Sequence, residues 1–156
     1  MSDWTREIGE ALRDFETVAH LASYPIASSD LDVRFLPAPH RPGALPPGWM
    51  AVYGFWHAGV WLKIGIAGPK SGPRFSSHHY NLSAQSSLSK SLANDPAMLT
   101  QPGFDPTASG AWTKENTFRV EILMPSHYPI ALLSLLEAFL HLRLRPRYEG
   151  KQGTGT

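Results

Sequence analysis

The fold is decided by residues 50–67, MAVYGFWHAGVWLKIGIA, in which two apolar, aromatic and β-branched runs flank a His-Ala-Gly interruption. Such runs are typical of β-strands, and Gly59 can take the left-handed backbone of a tight turn. The pattern predicts a β-hairpin with a three-residue turn, which places Tyr53 opposite Lys63. Opposed side chains of a hairpin have Cβ atoms about 5 Å apart. We therefore expect a phenol and an amine side by side on one face and a wholly apolar opposite face.

Two further elements follow the hairpin along the chain. Residues 117–124 alternate between apolar and polar side chains, which predicts a third strand. Pro129 opens an apolar run that predicts a helix of about four turns, ending before Pro146. The intervening residues are rich in Gly, Pro and Ser and predict loops around a short helix at 85–94.

The segment before the hairpin has two parts. Residues 3–22 predict an amphipathic helix, because apolar residues recur at steps of three and four. We interpret this helix as packing on the main domain, and a dimerisation helix is the alternative. Residues 25–48 contain six prolines and predict an extended connector, in which Leu31 to Leu36 could form one short strand.

Together these elements predict an α+β fold: a small, three-stranded, mainly antiparallel sheet flanked by helices, with an added N-terminal amphipathic helix. The composition changes near Trp49. We therefore divide the chain into an N-terminal helix and Pro-rich connector (1–48), a main domain (49–150) and a flexible tail (151–156).

Net charge separates the first two parts. The whole chain has 14 Lys and Arg against 13 Asp and Glu, a formal net charge of +1. Residues 1–48 carry four basic and seven acidic side chains, a charge of −3, whereas residues 49–150 carry nine and six, a charge of +3. The near-neutral total argues against a nucleic-acid binder that relies on bulk charge, but it leaves open a locally basic site.

Composition also excludes several classes of protein. The chain has no cysteine, so it can form neither disulfides nor a Cys-based zinc site, and it has no thiol nucleophile. The most apolar stretch, Ile130 to Leu144, contains charged residues, which argues against a transmembrane helix. Four charged residues among the first ten are untypical of a secretory signal. We expect a cytoplasmic protein, of a bacterial or phage-type intracellular kind.

Glu137 is the only acidic residue between Pro125 and Pro146, in a helix that is otherwise almost entirely apolar. A carboxylate on a mostly buried helix is costly unless it is paired or binds a metal. The alternative is a surface pair between Glu137 and His141, which are one helical turn apart.

Arg74 and His78 are four residues apart after a flexible loop. An Arg can hold a phosphate through two hydrogen bonds, and a His can move a proton near neutral pH. The alternative is a solvated loop in which these side chains have no role. A metal site formed by His57, His78 and His79 is conceivable, but its spacing matches no known ligand set.

These features occur in the order of the GIY-YIG endonuclease superfamily, which the chain resembles over about 100 residues, from Trp49 to Gly150. That superfamily includes restriction enzymes, homing endonucleases and an excision-repair nuclease domain. The ending of the last helix is also similar, with its Glu and its Pro-containing exit. The residues that carry the resemblance are Val52-Tyr53-Gly54, Lys63-Ile64-Gly65, Arg74, His78, Leu136-Glu137-Ala138 and Arg145-Pro146-Arg147-Tyr148.

The resemblance implies a metal-dependent hydrolysis of DNA phosphodiester bonds. Tyr53 matches the tyrosine near the attacking water, a general base, and Lys63 stands where a second tyrosine is usual and would lower the pKa of the Tyr53 phenol. Arg74 matches the arginine that grips the scissile phosphate. His78 matches a position that helps the nucleophile or orients the phosphate. Glu137 matches the single carboxylate that holds one Mg²⁺ or Mn²⁺.

The chain departs from the family pattern at two places. The first motif is Val-Tyr-Gly rather than Gly-Ile-Tyr, and Glu149 follows the exit where the family often has Asn. Either Glu149 occupies that position, or another residue such as Asn81 or Asn116 serves in its place. A non-catalytic nucleic-acid-binding or interaction module that keeps the fold is therefore the alternative function.

Duplex DNA is the expected partner, and a palindromic target would favour a homodimer. Basic residues and serines of the main domain are the candidate contacts. For Arg143, Arg145 and Arg147 the alternative is a solvated helix end, where basic side chains are favoured by the helix dipole. The candidate contacts are Lys90, Lys114, Arg143, Arg145 and Arg147, with Arg119, Ser86, Ser87 and Ser89 also available.

Overall fold

The computed structural model describes residues 3–148. Six helices lie at Asp3–Leu21 (α1), Gly72–Ser76 (α2), Leu88–Ala93 (α3), Pro96–Leu99 (α4), Ser109–Asn116 (α5) and Ile130–Leu144 (α6). Four strands lie at Asp32–Leu36 (β1), Trp49–His57 (β2), Val60–Ala67 (β3) and Phe118–Pro125 (β4). Short 3₁₀ turns lie at Ser28–Asp30, His78–Tyr80 and Pro106–Ala108.

The predicted α+β class is confirmed, but the sheet has four strands rather than three. All its pairs are antiparallel, in the order β1-β4-β2-β3. The additional strand is β1, which pairs along β4 from Asp32 opposite Leu123 to Leu36 opposite Arg119. Its five residues gain their backbone partners only from β4, which is far away in sequence, so local pattern alone identifies this strand weakly.

The hairpin of β2 and β3 forms, but its predicted register is wrong. Ala58 and Gly59 both have positive φ, of 49° and 83°, which is the backbone of a two-residue turn. An irregularity between Phe55 and Trp56 then shifts the pairing. As a result Tyr53 faces Gly65, and Lys63 faces Phe55.

One face of the sheet is covered by α1 and α6. Their apolar residues share a core with side chains such as Met50, Val52 and Ile122. The amphipathic helix α1 therefore packs on the sheet. Its residue Glu7 accepts a hydrogen bond from the indole Nε1 of Trp61 at 3.2 Å. The packing thus crosses the compositional boundary at Trp49.

The opposite face is covered by the chain between β3 and β4. Tyr53 and Phe55 lie in a second core beneath Phe75, Leu88 and Leu92. Burying each of these large apolar side chains contributes about 1.5–3 kcal/mol. This second core supports the segment that carries Arg74 and His78.

The chain after α6 covers the outer edge of β3. Arg145 has the left-handed backbone that ends the helix, with φ of 50°. The amides of Arg147 and Tyr148 then donate to the carbonyls of Trp61 and Leu62, each at 2.9 Å. These bonds occupy backbone groups that an exposed edge strand would leave open.

None of the helices within residues 3–148 is long and apolar enough to cross a membrane. The predicted tail at 151–156, and Glu149 with its departure from the family pattern, lie outside the described residues.

Candidate active site

The structure brings the five predicted catalytic residues together at the β3 side of the sheet, although they come from five different elements. The carboxylate of Glu137, on α6, lies within electrostatic reach of Lys63 and Arg74. His78 is influenced by the same two cations. Tyr53 is influenced by Arg74 and Glu137. A cluster with two cations, one carboxylate, one imidazole and one phenol therefore assembles around the edge of the sheet.

Tyr53 is fully buried beneath the Arg74 segment. Its hydroxyl donates to the backbone carbonyl of Arg74 at 2.9 Å, and its ring lies across Gly65. A Cβ at position 65 would approach the Tyr53 ring to 2.7 Å, so only glycine leaves room for the phenol in this position. A steric constraint thus explains why the Lys-Ile-Gly triplet ends in glycine.

The pKa of the Tyr53 phenol is raised by burial, against the opposing influence of the Arg119 and Arg74 guanidiniums. Lys63 faces Phe55 rather than Tyr53, so the direct pairing on which the expected effect of Lys63 on this phenol depends is not formed. The cation over the Tyr53 ring is Arg119, whose Cζ lies 4.8 Å from the ring centroid. In this geometry Tyr53 is a neutral hydrogen-bond donor at neutral pH.

Lys63 is buried, with 7% of its surface exposed. It lies on the same face as Tyr53 but two residues along the hairpin, opposite Phe55. Its ammonium lowers the pKa of Glu137 and also that of His78. Lys63 therefore acts on the carboxylate and the imidazole of the cluster.

Arg74 lies in α2, within a segment that the sequence predicts as a loop. Its Nε donates to the carbonyl of Ile66 at 2.9 Å, which ties the side chain to the end of β3. Its side chain is exposed. Both terminal nitrogens lack a hydrogen-bond partner within residues 3–148. They form the planar pair of donors that suits a phosphate.

His78 begins the 3₁₀ turn after α2, so it does not share one continuous helix with Arg74. Burial, Arg74 and Lys63 lower the pKa of its imidazole, and a hydrogen bond to the backbone of Gln85 opposes this effect. Its Nε2 is buried and unpaired in the described part of the chain. When the proton of neutral His78 is on Nδ1, the lone pair on Nε2 has no partner within residues 3–148.

His79 has a different role from its neighbour. Its Nδ1 accepts from the Leu88 amide at 3.1 Å, and its ring packs 5.4 Å from that of Tyr53. Burial lowers its pKa to about 2, so the ring is neutral. His57, the remaining member of the conceivable histidine metal site, bonds to the Asn116 carbonyl and packs on Trp112.

Glu137 is half-buried, and burial raises the pKa of its carboxyl group, although His141, Arg74 and Lys63 oppose this effect. The described residues contain no group of three or more His, Asp or Glu that could hold a metal ion. The donor set therefore fits a metal only at a single carboxylate, with water and substrate oxygens as the other ligands. Mg²⁺ commonly binds in this way.

Two of the predicted DNA contacts form ion pairs within the protein. Arg143 pairs with Asp14 of α1 at 2.7 Å, and Arg147 pairs with Asp95 at the start of α4, also at 2.7 Å. Lys90 and Arg145 are exposed, and Lys114 lies 5.3 Å from the centroid of the Tyr80 ring.

Arg119 is wrongly predicted as an available DNA contact, because its side chain is fully buried. Strand alternation places it on the face opposite Val120 and Ile122. The sequence does not reveal that the chain between β3 and β4 covers this second face. The signal that could identify the residue is its pairing with Glu121 on the same face, an i, i+2 ion pair of 2.8 Å.

No family model matches the chain, and neither a curated protein nor a solved structure does so.

Proposed function

We propose that the chain is a divalent-metal-dependent DNA endonuclease of the GIY-YIG type, which hydrolyses phosphodiester bonds in a restriction-like or mobile-element-associated role. One observation carries this proposal. A hydrogen bond from Tyr53 to the Arg74 carbonyl and mutual electrostatic influence link the five residues that follow the family order in the sequence, although they come from five elements. Chance matches spread over 85 residues of sequence, from Tyr53 to Glu137, have no reason to converge.

Arg74 is the proposed phosphate-binding residue. The bond from its Nε to Ile66 fixes the direction of the guanidinium and leaves the two terminal nitrogens for non-bridging phosphate oxygens. Lys63 adds positive charge from beneath the cluster, where burial strengthens its effect on a bound phosphate.

His78 is the proposed general base. Its imidazole is neutral, and it can take a proton from the water that attacks phosphorus if a shift of the ring on DNA binding opens the buried Nε2 to that water. The phosphorus–oxygen bond to the leaving group breaks as the new bond forms, and the departing oxygen takes a proton from solvent. Tyr53 then serves to hold the Arg74 segment through its hydroxyl, rather than to accept the proton.

Glu137 would hold Mg²⁺ or Mn²⁺. When bound, such an ion supplies stabilisation of the charge that develops on the phosphate and on the leaving oxygen. The nearby cations keep the Glu137 carboxyl more acidic than burial alone would leave it. They thereby favour the ionised form that a metal requires.

Cleavage of supercoiled plasmid with Mg²⁺ or Mn²⁺ tests the proposal. We expect wild-type protein to cut, and we expect Glu137→Ala and Arg74→Ala each to lower the rate by about 10²-fold or more, because each removes a group that stabilises the transition state. The matched controls are Glu10→Ala and Arg13→Ala, which remove exposed charges of α1 and should cut as wild type does. Cutting that survives both site substitutions unchanged would refute the site assignment.

A nucleic-acid-binding module without catalysis is the second candidate. The complete burial of the Tyr53 phenol favours it, since the family residue expected next to the attacking water is here covered by the Arg74 segment. Fluorescence anisotropy with a labelled DNA duplex distinguishes the two functions. Binding that is salt-sensitive and weakened by Arg74→Ala, in a protein that never cuts with either metal, would support the binding module.

A further inference from the structure

A buried guanidinium lies directly beneath the proposed phosphate-binding segment. Arg119 projects from β4 and faces Phe55 on β2, and its neighbour Glu121 faces Tyr53. Its Nε donates to Glu121 at 2.8 Å. Its Cζ lies 4.8, 5.4 and 4.7 Å from the ring centroids of Tyr53, Phe55 and Phe75. The side chain thus fills the space between the sheet and α2.

The remaining donors of Arg119 reach across to the segment that carries Arg74 and His78. Nη2 donates to the carbonyl of Phe75 at 2.7 Å, one residue after Arg74. Nη1 donates to the hydroxyl of Tyr80 at 3.0 Å, two residues after His78. The Tyr80 hydroxyl is also bonded to His40 Nε2 at 2.8 Å, which limits its movement. Arg119 therefore anchors both ends of residues 75–80.

The helix α2 depends on such anchors because it has only five residues. An isolated helix of that length is unstable, and its last carbonyls have no partners within the helix. Ser76 and Ser77 satisfy the carbonyls of Gly72 and Pro73. The next two carbonyls are satisfied from the sheet, Arg74 O by the Tyr53 hydroxyl and Phe75 O by Arg119.

A buried ion pair is by itself a weak source of stability, because desolvation offsets most of its attraction. The three directed hydrogen bonds of Arg119 do what an apolar side chain of the same volume could not do, since two of them connect β4 to residues 75–80 and the third holds the guanidinium against Glu121. On the basis of the proposed function, we propose that Arg119 is a positioning residue for cleavage. It holds residues 75–80 so that Arg74 and His78 are presented at the edge of the sheet, and it contacts neither phosphate nor water.

The test compares wild-type protein with Arg119→Lys and Arg119→Met. Lysine keeps the charge but cannot reach Phe75 O, Tyr80 and Glu121 together. We expect kcat for plasmid cleavage to fall about 100-fold, as for a misplacement of about 1 Å, while KM changes by less than about two-fold. Arg119→Lys carries the test if Arg119→Met does not fold. Folded Arg119→Lys that cuts at the wild-type rate would overturn the proposal.

A double-mutant cycle separates positioning from a general loss of stability. If Arg119 acts through Arg74 and His78, Arg119→Lys should cause no further loss of kcat in a background that carries both Arg74→Ala and His78→Ala. Losses that multiply would overturn the proposal. Glu121→Gln is the matched control, since glutamine keeps an oxygen for Arg119 Nε and leaves the bonds to Phe75 and Tyr80 intact. It should lower the stability of the fold and leave kcat within about two-fold.

Hydrogen exchange tests the anchoring independently of activity. In Arg119→Lys without DNA, we expect faster exchange confined to the amides of residues 74–80. Unchanged exchange there would overturn the proposal. If the wild-type protein does not cut DNA, the proposed function fails, and this exchange measurement alone decides whether Arg119 holds the segment.

Discussion

At the residue scale, the cluster shows how one environment acts differently on neighbouring groups. Burial keeps Tyr53 and His79 neutral. The same burial raises the pKa of Glu137, but Lys63 and Arg74 oppose it there. The carboxylate that we propose to hold a metal is thus retained at a cost to the fold, as functional groups often are.

The cost of burying the Glu137 carboxylate predicts that the stability of the fold depends on pH. Its folded pKa lies above its unfolded value, so the native state binds more protons than the unfolded state between the two values. The stability of the wild-type protein therefore falls as pH rises through this range. The Glu137→Gln variant should be as stable as the wild type below about pH 4 and more stable than the wild type at pH 8. Solvent screening limits the gain to about 1 kcal/mol, or about 2–4 °C in Tm.

Thermal unfolding at pH 4 and pH 8 measures this difference. Glu115→Gln, a change at an exposed residue of α5, is the control and should show no pH-dependent gain. If Glu137→Gln is instead less stable at pH 8, the attraction of Glu137 to Lys63 and His141 outweighs its desolvation, and the argument from burial is wrong.

At the scale of the elements, apolar periodicity was sufficient where an element is long. It predicts α1, the hairpin strands, β4 and α6. It is insufficient for β1, which depends on pairing with β4, and for the hairpin register. The two-residue turn at Ala58 and the irregularity between Phe55 and Trp56 together decide that register, because each moves Tyr53 by one residue relative to Lys63. Arg119 was misassigned because a loop distant in sequence buries it.

The turn itself offers a test at this scale. Ala58 has φ of 49°, a backbone that costs a residue with a Cβ about 1 kcal/mol. Asparagine tolerates this conformation, and Asn-Gly is the preferred pair for a two-residue hairpin turn. Ala58→Asn should therefore raise the free energy of unfolding by about 0.5–1 kcal/mol. Urea denaturation gives the value. Ala58→Val is the control, and it should lower the free energy of unfolding. If the turn instead has three residues, Ala58→Asn should leave the free energy of unfolding unchanged.

At the scale of the whole molecule, the charge division at Trp49 does not correspond to a division in packing. The acidic N-terminal segment provides α1 over one face of the sheet and β1 along its edge. The basic residues proposed to meet DNA lie on a framework that this segment helps to build. The arrangement therefore argues against treating residues 1–48 as a removable acidic appendage.

A truncated chain beginning at Asp32 makes this argument testable. The deletion removes four large buried side chains of α1, Trp4, Ile8, Leu12 and Phe15, which contribute about 6–12 kcal/mol of gross apolar burial. Net stabilities of whole domains are about 5–15 kcal/mol. We therefore expect the truncated chain to aggregate or to lose its cooperative unfolding transition, as followed by circular dichroism. The controls Glu10→Ala and Arg13→Ala change α1 only on its exposed side and should unfold as the wild type does. A truncated chain with a sharp, near-native transition would show instead that the sheet and the proposed site fold without α1.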